Sequence, residues 1–276
     1  MIKDIVLNIP VGQDKAPATP FAVALASLFQ AHLAGIAFQF EPTLPPVDMG
    51  ASLSGRYLEQ ARDMARQQAD AAIARFDELA RREGISAESH RFGITTAGAP
   101  TRFAEIARRF DLAVVQQIEP DQDAMDEIIA ESALFDSGRP ILLVPYIQKG
   151  GLTLNRVSVC WDGSRAATRA AADAMPLLKR AKAVDLIVIE NDRPKSEDFP
   201  GIDIAQHLAR HDLKVDLKRL PMTTDVSTTI LNFAADSATD LVVMGGYGHS
   251  RLREFVLGGA TRGIMQAMTV PTLMSH

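Results

Sequence analysis

The run Asp111-Leu-Ala-Val-Val115 has a counterpart in Asp240-Leu-Val-Val-Met244, alike at three of five positions, and its surroundings return with it. Each copy follows an amphipathic helical stretch, 101–110 in one case and 227–237 in the other. Each is followed, after another helix-length interval, by a short apolar strand introduced by proline: Pro140-Ile-Leu-Leu-Val144 and Pro271-Thr-Leu-Met274. The chain also begins twice, with Ile5-Val-Leu7 and again with Val157-Ser-Val-Cys-Trp161. A unit that recurs at this length makes the chain two copies of one fold. The boundaries read as a first domain over 1–147, a link over 148–155 and a second domain over 156–276. The link, Gln148-Lys-Gly-Gly-Leu-Thr-Leu-Asn155, is polar and carries two adjacent glycines, which suits a flexible connection.

Within each unit, short Val/Ile/Leu-rich runs alternate with helical patterns. That alternation belongs to βαβ units, in which a parallel sheet is covered on both faces. The expected class is α/β: two tandem open, mostly parallel five-stranded sheets of Rossmann-like type. Strands are expected near 3–9, 35–40, 86–92, 111–116 and 140–144, then at 156–161, 184–190, 214–220, 240–245 and 270–274. Helices of the second unit are expected over 165–180, 202–212, 225–238 and 259–268. The first unit has an extra loop, Glu41 to Gly50, that its prolines keep out of helix. Ser54 then caps a long helix over 55–83, ended by Gly84, with Leu58, Ala61, Ala65, Ala69, Ala72, Phe76, Leu79 and Ala80 at helical spacing. Covering one face of the sheet accounts for that helix; a lid or partner-binding role for 41–55 is the alternative.

The densest chemical signal runs from Gly245 to Thr261, Gly-Gly-Tyr-Gly-His-Ser-Arg-Leu-Arg-Glu-Phe-Val-Leu-Gly-Gly-Ala-Thr. It leaves the carboxyl end of an expected strand, where open α/β sheets bind ligands, and enters a helix near Gly259. Gly245, Gly248 and Gly258 let backbone N–H groups approach phosphate oxygens. Gly259, Ala260 and Thr261 open a helix whose unpaired N–H donors and positive dipole end favour an anion. Ser250 and Thr261 offer hydroxyls, and His249 can donate to phosphate or exchange a proton. Plain turn chemistry is the competing account of these glycines. Neither a Walker-type loop nor the G-x-G-x-x-G order is present.

Residues 245–261 resemble the nucleotide loop of the universal stress protein family, G-x2-G-x9-G followed by a small or hydroxyl residue. The run Val159-Cys-Trp-Asp-Gly-Ser164 resembles that family's first strand and turn. The resemblance implies that Asp162 contacts the adenosine part of ATP. It implies that the backbone at Val188-Ile189 reads the adenine edge, and that Met244 lines the ligand. It also implies ATP, with or without Mg2+, as the cofactor, and pairing of domains through their last strands, so that 140–144 meets 270–274. A homo-oligomer such as a dimer and a stress-response role are expected on the same ground. One departure is Gly259, where ATP-binding members often carry Ser. One neutral hydrogen bond is worth about 0.5–1.5 kcal/mol net, which lowers affinity several-fold without abolishing it.

The first unit departs further. In place of Met244-Gly-Gly-Tyr-Gly248 it reads Val115-Gln-Gln-Ile-Glu119, and Glu119, Asp121 and Asp123 bring negative charge to the phosphate position. No aspartate follows Asn8 and Ile9 directly; Asp14 lies further on. ATP is therefore expected in the second unit alone.

Other residues read as structural. His207 and His211 stand four apart on a helix without acidic or Cys partners at ligand spacing. Arg251, Arg253 and Arg262 flank the loop, either neutralising phosphate or pairing on the surface. Cys160 reads as a buried thiol, and Trp161 packs in the core or beside a base. Asp162 and Ser164 form no triad with any nearby His. With 29 Lys and Arg against 34 Asp and Glu, well mixed, the chain shows no nucleic-acid footprint. The start Met1 to Pro10 reads as a first strand and not a signal peptide, no apolar run is long enough to span a membrane, and a lone cysteine fits a cytoplasmic protein. Three functions remain open: an ATP-binding regulator, a slow ATP hydrolase, and an interaction module that binds no nucleotide.

Overall fold

The computed structural model describes residues 1–13, 15–42, 51–117, 119, 125–190, 202–246 and 259–276. The first half runs β1 (Asp4–Asn8), α1 (Ala18–Phe29), β2 (His32–Phe40), α2 (Ala51–Glu83), β3 (Ala87–Ile94), α3 (Ala99–Ala107), β4 (Leu112–Gln116), α4 (Met125–Asp136) and β5 (Ile141–Val144). The second runs β6 (Arg156–Cys160), α5 (Arg165–Asp173), α6 (Met175–Leu178), β7 (Ala183–Glu190), α7 (Ile202–Arg210), β8 (Val215–Pro221), α8 (Val226–Asp236), β9 (Leu241–Gly245), α9 (Ala260–Ala267) and β10 (Thr272–Ser275).

The class is α/β as expected, and each half contributes five strands. All strands form one 10-stranded sheet in the order β3-β2-β1-β4-β5-β10-β9-β6-β7-β8. The join is the antiparallel pair β5·β10, with Leu142 opposite Leu273; the other pairings are parallel. The physical reason lies in these two strands. Ile141 to Val144 and Thr272 to Ser275 are buried throughout, and as free edges they would expose apolar, unpaired backbone. Because the join is antiparallel, the strands of the two halves run in opposite directions. Their carboxyl edges therefore lie at opposite ends of the molecule.

The aspartate that heads each repeated pentapeptide does the same work twice. Asp111 accepts the backbone N–H groups of Lys3 and Asp4, at 2.7 and 3.1 Å. Asp240 accepts those of Asn155 and Arg156 and the hydroxyl of Thr153. Each ties the start of its half's first strand. The connection 148–155, expected to be flexible, is thereby docked along its second part, with Leu152 and Leu154 packed on the core.

Side chains alternate across the sheet with the period of a strand. Ile5 and Leu7 face one core with Phe21, Phe76, Val159 and Leu177; Val6 faces the other with Phe103, Ile129, Met244 and Ile264. Both cores run across the two halves. Helix α2 starts at Ala51, ahead of the expected cap Ser54. It stops where Gly84 takes φ +64° and the Ile85 N–H reaches back to Ala80 O at 3.2 Å. Ala69, Ala72, Phe76 and Ala80 are buried, as the spacing predicts. Residues 43–50 lie outside the described residues.

Helix α8 carries a cap whose contribution can be measured. Asp225 accepts from Thr228 N at 2.8 Å, Thr228 Oγ1 at 2.7 Å and Ser227 Oγ at 2.5 Å. These donors, the Ser227 hydroxyl foremost, hold its carboxyl down at about 2. Asp225→Ala is expected to cost about 1 kcal/mol at neutral pH. A depressed carboxyl stabilises above its ordinary value and loses that stabilisation as pH falls. The gap between parent and variant in urea midpoint should thus close between about pH 4 and pH 2.

Candidate functional site

In the second half, β7 and β8 lie on one side of β6, and β9 and β10 on the other. The strand order reverses between β6 and β9, which is where open α/β sheets form a ligand crevice. The register Val159↔Val243 brings the exits of β6 and β9 side by side. One wall is the turn after β6. The Ser164 N–H donates to Asp162 Oδ1 at 2.9 Å, Gly163 takes φ +78°, and Ser164 Oγ caps α5 by accepting from Ala167 N at 3.1 Å. This fixes the backbone of Asp162 while leaving the residue exposed.

The other wall is the end of β9. Met244 is buried, with partly buried Ile189 and Cys160 packed against the same core. Burial pushes the Cys160 thiol up to about 12, with the nearby Asp162 charge adding to it, so the sulfur stays protonated at neutral pH and is a poor nucleophile. Gly245 has a packing reason to be glycine. A Cβ there would stand 2.5 Å from Ala167 N and 2.7 Å from Ala166 C, the first turn of α5. Gly246 lies under Leu134 of α4, which a Cβ would meet at 2.7 Å. The His276 ring holds the same residue by Nδ1 to Gly246 O at 3.0 Å, and stands edge-on to Phe135 with centroids 5.0 Å apart. A carbonyl only accepts, so Nδ1 carries the proton.

Helix α9 opens toward this crevice. Gly259 is its N-cap, extended at φ −61° and ψ 154°, and as a glycine it has no side chain with which to cap the first turn. The helix thus presents backbone N–H donors at its positive end. Ala260 is half-buried; Thr261, expected to offer its hydroxyl, is buried and already engaged within the protein. Of the expected site, Asp162, Ile189, Met244, Gly245, Gly259, Ala260 and Thr261 are described. Gly248, His249, Ser250 and Gly258 lie outside the described residues, as do Arg251 and Arg253. The His207 and His211 rings stand 4.8 Å apart, and no three His, Cys, Asp or Glu among the described residues cluster so as to hold a metal ion.

The corresponding crevice of the first half, between β1 and β4, is filled by its own side chains. Asp126, in the first turn of α4, accepts from Asn8 Nδ2 at 3.0 Å and from Gln13 Nε2 at 2.9 Å. Gln116 accepts the Ala18 N–H at 3.3 Å and donates to Gln13 Oε1 and Lys15 O. A carboxylate already sits at the N-terminal end of α4, the position an anion would seek. The sequence reading assigned the hostile charge to Glu119, Asp121 and Asp123. Glu119 is exposed, Asp121 and Asp123 lie outside the described residues, and among the described residues Asp126 brings a carboxylate into the crevice. Asp126, Gln13 and Gln116 were missed; the one available sign was that glutamines stand where the other half has glycines.

The family model described as the universal stress protein family matches residues 153–276. Universal stress protein Slr1230 of Synechocystis sp. (strain ATCC 27184 / PCC 6803 / Kazusa) is 39% identical over 44 residues, a stretch that covers 16% of this chain and 15% of that protein. A universal stress protein from Archaeoglobus fulgidus DSM 4304 superposes with a TM-score of 0.72 at 14% identity, over 98% of this chain and 94% of that one. A putative universal stress protein from Pseudomonas aeruginosa UCBPP-PA14 does so with a TM-score of 0.59 at 16% identity, over 99% and 92%. At such identities the structural likeness is one of fold.

Proposed function

We propose that the chain, whose residues 153–276 match the universal stress protein family model, is an ATP-binding regulatory protein of that family whose second half holds the nucleotide. The observation that carries this reading is the contrast between the two crevices. Between β6 and β9, Asp162 stands exposed on a fixed turn and α9 opens on Gly259, which has no side chain to cap it. Between β1 and β4, Asp126 and two glutamines fill the same place. Phosphate oxygens would accept from the N–H groups at Gly259 and beyond, and from the glycine loop 245–258. Asp162 would accept from ribose hydroxyls, and the exit of β7 at Ile189 would border the base. The first half serves as a permanent partner, on the 1–147 and 156–276 division read from the repeat.

Titration calorimetry of the whole chain with ATP is expected to give one site per chain. Absence of both heat and a thermal shift at millimolar ATP would leave an interaction module that binds no nucleotide.

A further inference from the structure

Helix α9 is gripped at its far end by the other half of the protein. Gln117 follows β4 directly, and its N–H donates to Val144 O at 2.8 Å, so its backbone is part of the sheet. Its side chain is buried, and Nε2 donates to Met265 O at 3.0 Å and to Gln266 O at 3.1 Å. These carbonyls belong to the last turn of α9, where the helix has no N–H of its own to offer them. The donor also meets the negative end of the helix dipole. Gln117 Oε1 is buried and accepts no hydrogen bond among the described residues, so the amide is committed to α9 through its nitrogen. The matching residue in the second half is Gly246, whose N–H bonds Ser275 O at 2.8 Å and which has no side chain to reach across.

We propose that Gln117 is a positioning residue through which the first half sets how tightly the second half holds its nucleotide. The proposal rests on the nucleotide reading above. Helix α9 has 8 residues, too few to be stable without tertiary support. It spans about 12 Å, so its two ends move together. Gln117 stabilises the seated helix from one end, and an anion stabilises it from the other. A ligand that needs the seated helix loses apparent affinity in proportion to the unseated fraction. By reciprocity, bound nucleotide strengthens the grip of Gln117 on α9.

The test is Gln117→Met, which keeps the length of the side chain and removes both donors. Two quantities are measured on the full chain: the Kd for ATP by calorimetry, and amide hydrogen exchange without nucleotide at Gly263 and Ile264, the first amides of α9 to be bonded within the helix, Gly263 to Gly259 O at 3.1 Å. The variant is expected to bind ATP about fivefold more weakly or worse, and to exchange faster at those amides while the central strands stay protected. Equal Kd values, or unchanged exchange at Gly263 and Ile264, overturn the proposal. If the parent itself binds no ATP, the nucleotide reading fails, and the exchange of the nucleotide-free chains still decides whether Gln117 seats α9.

Discussion

Gly245→Ala is expected to destabilise the protein by about 3 kcal/mol, the upper end of what forced overpacking costs. The added Cβ would meet Ala167 N at 2.5 Å and Ala166 C at 2.7 Å, and these are backbone atoms that cannot rotate aside. Helix α5 must lift from β9 by most of an ångström, which loosens Ala166, Ala167 and Ala170 from the core. In a chain of this size that corresponds to a fall in melting temperature of roughly 6–12 °C. Gly93→Ala is the control: nothing lies within 4 Å of the methyl it would add, and the melting temperature should hold. A Gly245→Ala chain that melts with the parent would mean that β9 and α5 are not packed this closely.

Gly259→Asp is expected to separate binding from stability. Aspartate is a better N-cap than glycine by a few tenths of a kcal/mol, and the extended backbone at φ −61° suits either residue. Stability should therefore hold or rise slightly. ATP binding should collapse, because a carboxylate about 4 Å from a phosphate charge costs about 4 kcal/mol at an effective dielectric of 20, roughly a thousandfold in Kd. The substitution copies into the second half what Asp126 does in the first. Retention of parental affinity would place the phosphates away from the first turn of α9.

Much of the fold was legible because it is written in local periodicity. The strands at 112–116 and 241–245 and the stop at Gly84 follow from runs, spacings and a left-handed position. The repeated aspartate was legible as a pattern, but its role was not: Asp240 and Asn155 meet only after the chain has folded. The join of 140–144 to 270–274 was expected only through the family resemblance, and not from the two strands themselves. Short apolar strands can be recognised from their own residues, whereas the partner that removes their free edges lies far along the chain. At the candidate site, Asp162 and the glycines stood out through a motif. Gln13, Gln116 and Asp126 did not, because amides and a carboxylate become a filled crevice only when three separate segments converge. Gly245 shows the limit from the other direction, since a glycine read for its closeness to phosphate is also required by its closeness to α5.

The antiparallel join of β5 to β10 has a consequence for how the two halves could diverge. Two identical chains paired through their last strands must carry identical crevices, and a substitution that closes one closes both. Here both partners are segments of a single polypeptide, at fixed one-to-one stoichiometry and whatever the concentration. A change such as Asp126 is thus confined to one side of the pair and leaves the crevice of the other side untouched.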